Sequence, residues 1–182
     1  VTYGQYGDNA VVLTNGNVVV AGNGVLGQAG NYLRLYDSNG VLLSSSKLQT
    51  SAPLNASSYN SDFSGDIFAL SDGGFGVMVR STSPTAVYLT TYNAAGAQVL
   101  APVSVDSTTV STNGPTDSAI QLDNGNIAFV YTGISGANYV MGIKVVNSAT
   151  GAQVVAMTPF ATTSTAVYGD LIKLSDGLLV AF

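Results

Sequence analysis

Asp66-Ile67-Phe68-Ala69-Leu70-Ser71-Asp72-Gly73 is a short, mostly apolar run that stops on an Asp-Gly pair. The same design returns as Asn9-Ala10-Val11-Val12-Leu13-Thr14-Asn15-Gly16, as Ser118-Ala119-Ile120-Gln121-Leu122-Asp123-Asn124-Gly125, and as Asp170-Leu171-Ile172-Lys173-Leu174-Ser175-Asp176-Gly177. Its four turn glycines lie 57, 52 and 52 residues apart, so the chain is a repeat array. Asn-Gly or Asp-Gly after a strand is a strong hairpin signal. The expected link is a type I′ turn with both central residues at positive φ, placing turns at Asn15-Gly16, Asp72-Gly73, Asn124-Gly125 and Asp176-Gly177.

Working outward, a second turn follows in each of the first three units: Asp37-Ser38-Asn39-Gly40, Asn93-Ala94-Ala95-Gly96 and Asn147-Ser148-Ala149-Thr150-Gly151. Each unit therefore reads as a four-stranded antiparallel meander. The second strand of each unit, such as Val18-Val19-Val20-Ala21 or Ile127-Ala128-Phe129-Val130, is apolar on both faces. A strand buried on both faces belongs to a sheet covered on both sides. Sheets stacked as blades of a β-propeller satisfy that better than a β-sandwich, which leaves one face of most strands polar. The expected fold is all-β, with propeller-like blades over 1–57, 58–110 and 111–162 and a half unit over 163–182; a sandwich or barrel is the alternative. Three and a half units make an incomplete ring. The sequence is therefore expected to be part of a longer parent chain or to pair with other copies of itself.

Composition supports strands. Only 8% of the 182 residues are charged, against roughly 25% in ordinary soluble domains, and every one of the ten acids is Asp. Glu, a good helix former, is absent, whereas Val, Thr and Tyr are plentiful. A net charge of −5 and five scattered basic residues argue against nucleic acid, which needs a clustered basic face. No apolar run is long enough to span a bilayer, so membrane insertion is not expected.

The segment Ile67 to Val79, followed by Val87-Tyr88-Leu89-Thr90-Thr91-Tyr92-Asn93-Ala94-Ala95-Gly96, resembles the roughly 50-residue β repeats of large secreted bacterial surface proteins, adhesin-like and related to repeat-in-toxin proteins. The resemblance implies an extracellular or cell-surface location and a structural or adhesive role. The calcium-binding glycine- and aspartate-rich nonapeptides of that group are missing, as is its tryptophan after the second strand.

Without His or Cys, neither the common catalytic triads nor imidazole and thiolate zinc sites can form. A carboxylate pair remains available to a glycoside hydrolase. Asp66 with Asp170, or Asp8 with Asp117, are the candidates; the simpler reading is that they brace the first strands by accepting backbone amides. No organic cofactor is expected. If an ion is held, the hard oxygens of Asp37, Asn39 and Asp123 point to calcium, although turn geometry alone explains these residues. Tyr36 and Tyr92, with Arg34 and Lys144 on the same side of the third strands, are candidate glycan-binding residues; packing between blades is the other use of such tyrosines. The function expected is a non-catalytic structural or adhesive module. A propeller lectin binding glycans is the alternative, followed by a carboxylate-only glycoside hydrolase.

Overall fold

A computed structural model describes residues 9–23, 31–47, 65–82, 85–107, 116–165, 169–174 and 179–181. Blade I is the antiparallel meander β1 (Asn9–Val12), β2 (Val18–Asn23), β3 (Asn31–Tyr36) and β4 (Leu42–Lys47). Blade II is β5 (Gly65–Ala69), β6 (Phe75–Thr82), β7 (Thr85–Tyr92) and β8 (Gln98–Asp106). Blade III is β9 (Thr116–Gln121), β10 (Ile127–Ser135), β11 (Asn138–Val146) and β12 (Gln153–Thr163). A further pair, β13 (Leu171–Lys173) and β14 (Leu179–Ala181), begins the next blade. The fold is all-β with propeller-type blades, and there is no helix among the described residues.

The first strand of each unit is the innermost: β1 packs on β5, β5 on β9 and β9 on β13. Three apolar layers lie between the blades. Leu13, Val19 and Leu35 meet Ile67, Phe75 and Val77 at junction I–II. Phe68, Met78 and Leu89 meet Ile127, Phe129 and Val146 at junction II–III. Ala128, Val130 and Met141 meet Leu171 beyond blade III. Burying one such side chain contributes about 1.5–3 kcal/mol, so these layers hold the blades together. Gly76 is needed for the II–III layer: a Cβ there would lie 2.2 Å from the Phe68 ring.

The turns fall at the expected glycines with a different geometry. Leu13 N donates to Asn17 O (2.8 Å) and Gly16 N to Leu13 O (2.9 Å), a pattern repeated at Leu70–Gly74 and Leu122–Asn126. Gly16, Gly73 and Gly125 have φ of 82°, 89° and 81°, yet no non-glycine residue described has positive φ. This is a three-residue loop closed by a left-handed glycine, not a type I′ turn. Asn15, Asp72 and Asn124 remain right-handed and use their side-chain oxygens to accept the amides of Asn17, Gly74 and Asn126. The Asp176-Gly177 turn lies outside the described residues.

Candidate functional site

In each unit the turns after the first and third strands lie at one end and the connection between the second and third strands lies at the other. The inner strands start at the second end, and a polar residue stands at or near each start: Asn9, Asp66, Ser118 and Asp170. The first three reach forward to the next inner strand. Asn9 Nδ2 donates to Gly65 O (2.9 Å), Asp66 Oδ2 accepts from Ala119 N (2.8 Å), and Ser118 Oγ lies 3.4 Å from Leu171 O. Asp170 Oδ1 accepts the amide of its own neighbour Leu171 at 2.8 Å.

Asp66 is chemically the most unusual of the four. Burial between blades II and III pushes its carboxyl up from 3.8 to about 6, and the negative charge of Asp170 pushes the same way. The bonds from the Ala119 and Ile67 amides oppose this and are outweighed. A carboxyl held near 6 keeps a proton that it can deliver at mildly acidic to neutral pH. Asp170, two units further on, is exposed. One half-buried and one exposed aspartate thus stand at the same end of the inner strands.

No family model and no curated protein matches the sequence. The fold does have counterparts among solved structures. It is similar to an endo-arabinase from Bacteroides thetaiotaomicron, at 12% identity and a TM-score of 0.54 over 96% of this chain and 68% of that one. It is also similar to a Hadza microbial sialidase, at 10% identity and 0.59 over 90% and 39%. A third likeness is to an ulvan lyase of a new polysaccharide lyase family, solved with a glycan bound, at 11% and 0.55 over 88% and 44%. The chain spans less than half the length of the last two.

This likeness corrects the expectation of a non-catalytic structural or adhesive module, and with it the expectation that the chain is not an enzyme. Solved proteins with a similar fold include an arabinase, a sialidase and a lyase. Blades, turns and low charge suit a scaffold, but the same blades also bring a few polar residues to one end of the inner strands.

The other candidate residues are dispersed. Tyr92 is buried, with its ring stacked on Phe75 at 4.9 Å and 10°, and burial raises its hydroxyl pKa. Lys144 is also buried; its Nζ donates to Asp106 Oδ2 at 2.9 Å. Tyr36 is half-buried on β3, and the half-buried Arg34 stands 5.6 Å from the centre of the Tyr32 ring. Asp37 accepts from the amides of Val41 (2.8 Å) and Asn39 (2.9 Å), and the Val41 bond leads in holding its carboxyl below the usual range. The side chain of Asn39 is exposed. Asp123, on another blade from Asp37, pairs with Lys173. No group of three or more potential metal-ligating acids occurs among the described residues. Asp8 lies outside them.

Sequence reasoning passed over Asp106 and the bond that the Tyr131 hydroxyl makes to it. Asp106 ends β8 on blade II and accepts from both Lys144 Nζ and the Tyr131 hydroxyl on blade III. The three side chains form a buried polar cluster in a chain with only five basic residues. Nothing in the local pattern around Asp106 links it to residues that lie 25 and 38 positions away.

Proposed function

We propose that this chain belongs to a glycan-processing protein and that the end of the inner strands bearing Asp66 and Asp170 is where a glycosidic bond is cleaved. The observation that carries this reading is the half-buried carboxyl of Asp66, held on the Ala119 amide at 2.8 Å and raised to about 6 chiefly by burial, with the charge of Asp170 adding in the same direction. The fold it shares with an arabinase, a sialidase and a lyase supports the same class of substrate. In a chain without His or Cys, carboxylates are the natural acid–base groups.

Asp66 donates its proton to the glycosidic oxygen as the bond to the anomeric carbon breaks. Its Oδ2 stays on the Ala119 amide, which fixes the carboxyl against rotation. Asp170 supplies the second carboxylate: it removes the proton from the attacking water, or attacks the anomeric carbon and is released by water in a second step. Proteins that process polysaccharides commonly meet them outside the cell, and an extracellular location is part of this proposal. No helix among the described residues is long and apolar enough to cross a membrane.

The test is product release from a panel of arabinans, sialosides and uronate-containing polysaccharides, with the wild type, Asp66→Asn and Asp170→Asn. Loss of an acid–base group is expected to slow cleavage about 100- to 10,000-fold. Cleavage that survives both substitutions removes these residues from the chemistry. Binding without any product assigns the site to recognition instead.

A further inference from the structure

The buried cluster of Asp106, Lys144 and Tyr131 joins blades II and III at the junction that encloses Asp66. Its connection to the carboxyl can be traced through the backbone. In blade II, Asp106 pairs across β8–β7 with Val87, and Val87 across β7–β6 with Arg80. Val79, the neighbour of Arg80, pairs with Gly65, the residue before Asp66. Asp106 and Asp66 therefore lie at the same end of blade II. In blade III, Tyr131 pairs with Thr116 at the start of β9, while Val130 pairs with Ser118. The register jumps between the two pairs, leaving Asp117 as the extra residue of a bulge. Ala119, whose amide holds Asp66 Oδ2, comes two residues after that bulge.

We propose that Asp106, Lys144 and Tyr131 are positioning residues for the axial carboxyl: by fixing Tyr131 they fix the bulge in β9 that delivers the Ala119 amide to Asp66. This inference rests on Asp66 being the proton donor. Bulges re-aim the residues beside them, and one left unanchored is free to relax. The anchor is a hydroxyl bonded to a carboxylate that is itself held by a lysine, so the strong directional contact falls on β10 directly opposite the bulge in β9. An apolar contact of similar size would hold the blades together without fixing that register. At junction I–II the residues equivalent to Tyr131 and Lys144 are Val79 and Thr90, and there the latch is the amide side chain of Asn9 on a carbonyl, with no bulge in the β5–β6 register.

The test follows the carboxyl resonance of Asp66 and the amide resonance of Ala119 through a pH titration of the full isotope-labelled protein. It needs no substrate, so it stands or falls separately from glycan cleavage. In the wild type both signals are expected to share one midpoint. The decisive variant is the double substitution Asp106→Leu with Lys144→Met, which removes the charges while keeping the volume apolar and packed. Its expected result is a folded protein whose Ala119 amide loses most of its response and whose Asp66 midpoint moves by about half a pH unit or more, as the amide bond and the enclosure of the carboxyl loosen. Arg34→Met, at the same strand position in blade I, is expected to move neither signal. An Asp66 midpoint and an Ala119 response both unchanged in the folded double variant would overturn the proposal and leave the cluster a purely structural tie. Should the double variant not fold, Tyr131→Phe is read by the same criterion.

Discussion

Junctions I–II and II–III are built on the same four-stranded plan and are held by different forces. Among the described residues the first is apolar: the stacked Phe75 and Tyr92 rings fill it, and Asn9 latches it with an amide side chain. The second has an apolar layer too, but it also buries the Asp106–Lys144 ion pair and ends on a carboxylate latch, Asp66. Stability alone does not call for the second design, since a buried ion pair is rarely more stabilising than the apolar residues that would replace it. Among the described residues the buried ion pair lies at this junction, whereas the Asp123–Lys173 pair between blade III and the strands beyond it is exposed.

Breaking one side of the charged junction has the largest expected effect. Lys144→Met leaves Asp106 buried without its cation and should cost about 3–5 kcal/mol in denaturant unfolding. Adding Asp106→Leu should recover most of that loss. The matching position in blade II is Thr90, whose hydroxyl donates to Leu100 O at 2.8 Å and accepts from Gln98 Nε2 at 3.1 Å. Thr90→Val should cost only about 1 kcal/mol, because neutral hydrogen bonds of this kind contribute about that much. Equal losses at the two positions would erase the distinction between the junctions.

The pH dependence sharpens the comparison. Asp66 titrates near 3.8 when unfolded and about 6 when folded, so between those values the folded state holds a proton that the unfolded state releases. Its contribution is therefore fully present below pH 3.8 and is lost as pH rises through about 6. The upper bound of the swing is about 3 kcal/mol. Unfolding midpoints of the wild type and Asp66→Asn, measured across that window, should diverge with the wild type losing ground as pH rises. The smallest effect is expected from Asp170→Asn, which removes a repelling charge and should lower the Asp66 midpoint by about a few tenths of a pH unit.

Blades and turns were legible in the sequence because the signals are local. Leu-Ser-Asp-Gly announces a hairpin wherever it stands, and two-faced apolar strands announce stacked sheets. The turn type was misjudged because Asn-Gly and Asp-Gly suit both a type I′ turn and a loop in which the glycine alone is left-handed. Asp66 could be singled out as a carboxylate at a strand start, but its acidity depends on blade III closing over it. Lys144 looked like a surface cation on the polar side of a strand. Only the stacking of one blade on the next turns that side inward and brings it to Asp106. A protein made of repeats thus displays its scaffold in the sequence, while the residues that distinguish one junction from another are set by contacts that no repeat pattern carries.

The measurement to make first is the pH titration of the Asp66 carboxyl in the wild-type protein. A single midpoint near 6 is expected, shifting downward in Asp170→Asn. A midpoint at or below 3.8 would mean an ordinary solvated carboxylate, contradicting both the burial of Asp66 at junction II–III and its role as the proton donor.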